Sequence, residues 1–198
     1  DTGDVRETLT RATQADVDAA VEPARKAQGK WQELGGPGRA KYLYAIARLL
    51  QKHARLFAVL ETLDNGKPVR ESRDIDIPLA QRHFYYHAGM AQLMESELPD
   101  RAALGVCGQI IPWNFPLLML AWKVAPAIAM GNTVVMKPSE YTPLATQFLF
   151  ELIDRELDLP AGLLNLLVCD GPVANHLTVS RDVHKVSFTG STNVGRQI

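Results

Sequence analysis

The residue types able to do chemistry in this 198-residue chain gather in short segments, each directly after an apolar run. One is Phe188-Thr189-Gly190-Ser191-Thr192-Asn193-Val194-Gly195. Backbone N–H groups at a helix start attract an anion such as a pyrophosphate. Gly190 lets backbone approach such a group closely, and Gly195 lets the helix pack tightly on a sheet. The spacing is neither the tighter dinucleotide fingerprint nor a P-loop, because no Lys follows the second Gly. By itself the segment reads first as a strand-to-helix turn. A second segment is Met136-Lys137-Pro138-Ser139-Glu140. Lys137 and Glu140 there can hydrogen-bond a ribose from two sides, the carboxylate accepting from a 2′-hydroxyl and repelling a 2′-phosphate. The alternative is a solvated charge pair on a loop, which is common and contributes little. The third is Pro112-Trp113-Asn114-Phe115-Pro116. Asn114 stands where a side-chain amide can donate to an oxyanion, or equally where it can cap the helix that Pro116 opens.

The elements that must position these segments follow from hydrophobic period. Up to about residue 104 the pattern is helical. Thr13 or Asp16 can cap a helix through Val17, Ala20, Val21 and Ala24. Pro37 opens a segment with Leu43, Ile46, Ala47, Leu49 and Leu50 at helical spacing. A further set at Leu56, Val59, Leu60 and Leu63 ends at Asn65-Gly66, a left-handed cap. Helix resumes near Val69 and again over 78–94. The period then changes. Val106, Ile110 and Ile111 predict a strand, followed by a long apolar helix from Phe115 that stops at Gly131-Asn132. Strands are expected over 133–136, 163–168 and 186–189. Helices are expected from a Thr142 cap to about 157, over 172–179 and from Ser191. Alternation of this kind implies an α/β fold: a doubly wound parallel sheet, with the N-terminal helical region at 1–104 and a dinucleotide-binding portion at 105–198. Ligands on such sheets bind beyond the carboxyl ends of the strands, where the three segments fall.

Bulk composition narrows the class. A formal net charge of −1 leaves no basic footprint for nucleic acid. The apolar stretch after Phe115 is interrupted by Lys123 and Pro126, so no membrane span is expected. Residues 1–10 are polar, which gives no sign of a signal peptide, and a cytoplasmic setting is the expectation. The two cysteines, Cys107 and Cys169, form no disulfide framework, and with the five histidines they show no metal-ligand spacing.

Taken together the segments resemble the aldehyde dehydrogenase superfamily. The resemblance is carried by Gly105-Val106-Cys107-Gly108 leading into Ile110-Ile111-Pro112-Trp113-Asn114-Phe115-Pro116 and by Gly131-Asn132-Thr133 through Lys137-Pro138-Ser139-Glu140. It is carried also by Pro160-Ala161-Gly162-Leu163-Leu164-Asn165 and by Lys185-Val186-Ser187-Phe188-Thr189-Gly190-Ser191. Upstream, Glu61-Thr62-Leu63-Asp64-Asn65-Gly66-Lys67-Pro68 and the segment around Trp31 are similar as well. The resemblance implies NAD as cofactor and oxidation of a small-molecule aldehyde to a carboxylic acid. It implies that Ile110, Ile111, Pro112 and Trp113 line the nicotinamide side of the cleft and that Asn114 is the amide of the oxyanion hole. Lys137 and Glu140, with Ser139 beside them, would hold the adenosine ribose. Gly171 and Pro172 would flank the adenine. Phe188, Gly190, Ser191 and Val194 would hold the pyrophosphate.

The same resemblance implies what to look for elsewhere. The family's nucleophilic Cys and its general-base Glu are expected downstream of residue 198, so the sheet is expected to be incomplete and the chain inactive alone. Cys107 reads as a small core residue in a strand, and Cys169 as a residue at a strand end. Between Glu97 and Gly105 the family has a longer stretch with a hairpin that joins subunits. Residues 98–104 are too few for two strands, which resembles the atypical family-16 type and bears on the homo-oligomer expected of the parent protein. Two other readings stand beside the oxidation: a non-catalytic binding or assembly module of the same fold, and a reductase of acyl phosphates or acyl thioesters, against which Glu140 argues.

Overall fold

The computed structural model describes residues 8–198. Of the polar opening, residues 1–7 lie outside the described residues. Five helical elements come first: α1 (Gln14–Glu33), α2 (Gly35–Lys52), α3 (Ala54–Asn65), the single turn α4 (Val69–Glu71) and α5 (Ile77–Glu97). Strands and helices then alternate: β1 (Val106–Ile110), α6 (Pro116–Ala129), β2 (Thr133–Lys137), α7 (Leu144–Glu156), β3 (Leu164–Leu166), α8 (Gly171–Val179), β4 (Lys185–Phe188) and α9 (Thr192–Gln197). The four strands form one parallel sheet in the order β3-β2-β1-β4. The doubly wound α/β class expected from the alternation is what the chain adopts.

Alternation along the strands decides what covers each face. Val106 and Val135 pack with Val17, Val21 and Ala24 of α1 and with Ala174 and Leu177 of α8. Val134 and Met136 point the other way, into a larger core built by α2, α3, α5, α6 and α7 around Trp31, Phe57, Phe84 and Leu120. The N-terminal helices are thus divided between the faces. α1 shares one with α8, and the rest, with Trp31 from the end of α1, back α6 and α7 on the other.

α6 runs through the middle of that larger core. Leu117, Leu120, Ala121, Ala125 and Ile128 are all fully buried. A helix end buried this deeply needs partners for its last carbonyls. They come from four places. Asn132 donates to Ala127 O from its backbone N at 3.0 Å and its Nδ2 at 3.1 Å. Trp31 Nε1 donates to Ile128 O at 2.9 Å. Arg39 Nε donates to Ala129 O at 3.0 Å. Gln28 bridges the turn that follows, its Nε2 donating to Gly131 O and its Oε1 accepting from Thr133 N. Gly131 turns at φ +85°, which lets Asn132 reach back, and Asn132 Oδ1 accepts from Leu104 N and Gly105 N to align the start of β1 with that of β2.

The departures from the expected elements are local. Strand β3 is shorter than 163–168, although Val134 N to Leu163 O and Leu167 N to Met136 O carry the ladder one residue beyond each end. α2 opens at Gly35, before Pro37. Between α4 and α5 the chain makes a π-helical turn at Ser72–Asp76, which hydrophobic period cannot reveal. Thr142 does not cap α7. Its Oγ1 donates to Trp113 O, and the Leu144 N–H is taken by Asp64 Oδ2 of α3 at 2.9 Å. Gly66 ends α3 at φ +86°, as expected. Residues 98–104 hold no strand, in line with their being too few for a hairpin.

Two glycines test the helical packing in opposite senses. A Cβ on Gly36 would sit 2.0 Å from Ala91 O of α5, whereas one on Gly29 of α1 would meet nothing within 4 Å. Gly36→Ala should therefore lower unfolding free energy by about 2–4 kcal/mol, and Gly29→Ala should raise it by about 0.5–1 kcal/mol. Urea denaturation of both variants measures this; equal effects of the two would show that α2 and α5 do not approach so closely.

Candidate functional site

The carboxyl ends of β1, β2 and β4 lie side by side. Ile111 N donates to Lys137 O at 3.1 Å and Thr189 N to Ile110 O at 3.1 Å, so the chain leaves all three strands at one level. Beyond them opens a cleft of ≈ 740 Å³. Ile110, Ile111, Pro112 and Trp113 reach it from β1 and its following loop, and Lys137, Ser139 and Glu140 from β2. Gly171 and Pro172 reach it from α8, and Phe188, Gly190, Ser191 and Val194 from β4 and α9. Every residue expected to bind a cofactor lines this one cleft. Sequence reading missed Ala174, Asn175 and Thr178, which line it from one face of α8, and also Thr189, Gln197 and Ile198. Their only signal was helical spacing in the stretch after Pro172.

The Lys137–Glu140 pair is not a solvated one. The ions are 3.0 Å apart, with the Lys137 side chain 8% exposed and that of Glu140 31%. Burial pushes the Glu140 carboxyl up, but its own backbone N–H and the Lys137 ammonium outweigh that and hold it below the usual range. The carboxylate is thus fixed in its charged form at one edge of the cleft. Ser139 Oγ accepts from Tyr141 N at 3.3 Å, which tightens the turn carrying Glu140. On the opposite side, Ser191 caps α9 by accepting from Val194 N at 3.3 Å. Gly190 lies against the Phe188 ring, so close that a Cβ would stand 2.4 Å from it. Only bare backbone fits there. α8 begins at Gly171, one residue earlier than expected, because Asp170 Oδ1 accepts from Val173 N and caps it.

Asn114 lies just outside the cleft, between Trp113, which lines it, and Phe115. The cap of α6 is Phe115, with no side-chain hydrogen bond, so the helix-cap reading of Asn114 is overturned. Its exposed amide makes no protein hydrogen bond among the described residues. The loop around it is nevertheless held: Trp113 O accepts from Asn65 Nδ2 at 2.6 Å and from Thr142 Oγ1 at 3.2 Å.

Neither cysteine suits a nucleophile. Cys107 is 2% exposed in β1 and Cys169 is fully buried. Burial raises both thiols above their ordinary range, against weaker pulls from Lys185 on Cys107 and Lys137 on Cys169. Among the described residues no group of His, Cys, Asp and Glu can hold a metal ion, and no helix is long and apolar enough to cross a membrane.

Comparison with known proteins agrees with this geometry. Acetaldehyde dehydrogenase of Pseudomonas aeruginosa is 46% identical over 199 residues, which span 95% of this chain and 39% of that protein. Aldehyde dehydrogenase B of Escherichia coli is 42% identical, over 92% of this chain and 38% of its own length. Among solved structures, betaine aldehyde dehydrogenase from Staphylococcus aureus in complex with NAD+ superposes at TM-score 0.91 with 38% identity. The NAD+ complex of the Bacillus cereus aldehyde dehydrogenase does so at 0.90 with 37%. Each structural match covers 98% of this chain and about two fifths of the other, 42%. The model of the aldehyde dehydrogenase family matches residues 1–198, and a parallel sheet whose strand ends present this cleft completes the case: the chain belongs to the aldehyde dehydrogenase family.

Proposed function

We propose that the chain is the cofactor-binding portion of an NAD-dependent enzyme that oxidises an aldehyde to a carboxylic acid. The observation that carries this reading is the convergence of three strand ends on one cleft with a cation–carboxylate pair, its lysine buried, at the edge. The residues present suit a dinucleotide. Lys137 and Glu140 offer a donor and an acceptor to a ribose diol, and Gly190 leaves a backbone surface where no side chain would fit. Ile110, Ile111, Pro112 and Trp113 offer a largely apolar wall at the end nearer Asn114. When bound, NAD supplies the hydride acceptor. Two complexed relatives, from Staphylococcus aureus and Bacillus cereus, support this choice.

What this chain adds to the chemistry is orientation and one donor. The exposed Asn114 amide, free of protein partners among the described residues, is available to donate to the oxygen of an aldehyde as negative charge develops on it. Cys107 and Cys169 are too buried to attack a carbonyl. The nucleophilic thiolate and the base that activates water therefore belong, in this proposal, to the three fifths of the relatives' length that this chain does not span. A homo-oligomer of the whole protein belongs to the same proposal.

Selectivity for NAD should follow from Glu140. A charged carboxylate beside the ribose repels an added phosphate by roughly 1–3 kcal/mol, about tenfold or more in affinity. Dissociation constants for NAD and NADP on the intact protein should differ by at least that factor, and Glu140→Gln should narrow the gap. Equal or tighter NADP binding by the unaltered protein would overturn the assignment.

Asn114→Ala should lower turnover by roughly a hundredfold while leaving the melting temperature nearly unchanged, because the donor acts only on charge that appears in the transition state. Steady-state kinetics with acetaldehyde and calorimetry on the intact protein give both quantities. Full turnover with a lowered melting temperature would mean that Asn114 is structural.

A further inference from the structure

The segment Glu61–Lys67 touches the chain on both sides of Asn114. Asn65 Nδ2 donates to Trp113 O at 2.6 Å. Lys67 Nζ lies 4.3 Å from the centroid of the Phe115 ring, in cation–π range. Residues 113 and 115 are thus gripped by 65 and 67, and the untethered residue between the two grips is Asn114.

The grip is anchored in the core. Glu61 and Asp76 are buried, and the Lys67 side chain is only 9% exposed. Lys67 Nζ lies 2.5 Å from Asp76 Oδ2, on the π-helical turn, and 3.5 Å from Glu61 Oε1. Two carboxyls therefore face one ammonium. Glu61 is raised to about 7, by burial foremost and by the nearby Asp76 carboxyl, against a downward pull from Lys67. Glu61 Oε2 has no partner at hydrogen-bonding distance among the described residues. With Glu61 protonated the cluster is charge-balanced, and Lys67 is held in one place against the Phe115 ring. A cluster of buried ions is a costly way to stabilise a fold and an effective way to fix a geometry.

We propose that Asn65 and Lys67 are positioning residues for the Asn114 amide: by holding Trp113 O and the Phe115 ring they aim the donor before substrate arrives. The inference rests on the reading of Asn114 as the oxyanion donor. Thr142 Oγ1 still holds Trp113 O when Asn65 is lost, so loss of either hold loosens the loop and misaligns the amide, and a misplacement of about 1 Å at a reacting group can lower the rate on the order of a hundredfold.

The test is a mutant cycle on the intact protein, with NAD and acetaldehyde. Asn65→Ala deletes one hydrogen bond from a partly exposed side chain and buries no charge, so it should fold. It should lower kcat roughly tenfold with KM for NAD changed less than about twofold, and it should cause no further loss when Asn114→Ala is already present. Lys67→Met, made together with Asp76→Asn so that no lone charge is buried, should give the same pattern; if that pair does not fold, Asn65→Ala decides. An unchanged kcat in Asn65→Ala, or an equal fold-loss with and without Asn114, would overturn the positioning role and leave the oxyanion reading intact. Full turnover in Asn114→Ala alone would overturn both.

Discussion

The arrangement depends on one constraint: backbone carbonyls buried at the end of α6 must find donors. α6 is largely apolar, and Ile128 and Ala129 of its last turn are fully buried, so the carbonyls there need donors from the protein. The donors come from the N-terminal helices, through Gln28, Trp31 and Arg39, and from the turn into β2, through Asn132. An orphaned buried carbonyl costs about 1–3 kcal/mol, so α1, α2 and the start of the sheet are locked together at this point. Arg39 is held there at a cost, since burial disfavours its charge while Glu95 offsets part of that. The same knot fixes where β1 and β2 begin, because Asn132 Oδ1 bonds both Leu104 N and Gly105 N.

Registering β1 and β2 at their starts also registers their ends. Val106 pairs with Thr133 and Ile110 with Lys137, so Pro112 and Ser139 leave the sheet at matching heights. β4 pairs with β1 from Cys107–Lys185 to Ile110–Phe188 and brings Gly190 to the same rim. The cleft is thus a consequence of strand register. Its floor is made of paired strand ends, while its donors sit on turns tightened by local bonds such as Tyr141 N to Ser139 Oγ.

The opposite end of α6 is treated differently. Its first turn is not capped by a neighbouring side chain in sequence, and the loop before it is steadied from α3 and the π-helical turn. Buried charge is concentrated there, in Glu61, Lys67 and Asp76. Ionic groups are worth little as stabilisers when buried, yet they specify position sharply because any displacement leaves a charge unpaired. The fold therefore places its most directional interactions beneath the loop that carries Asn114.

The sequence by itself determined the order of elements, the parallel sheet and the segments that line the cleft. Those are properties of period and of turn chemistry: β-branched runs such as 133–135, the Pro in the first turn of α6 and of α8, and the glycines at 66 and 131 act through their own φ and ψ or through neighbours within a turn. Tertiary structure alone decided which polar residue served which end. Asn114 has the right type and place for a helix cap and does not cap; Thr142 likewise stands before α7, yet Asp64, 80 residues away, takes the Leu144 N–H. Glu61, Lys67 and Asp76 look like ordinary surface charges in sequence and become a buried cluster because α3 and the π-helical turn fold over α6. A side chain's choice among donors depends on what packing brings within about 3 Å and on what packing removes from water. Neither quantity is written in spacing along the chain.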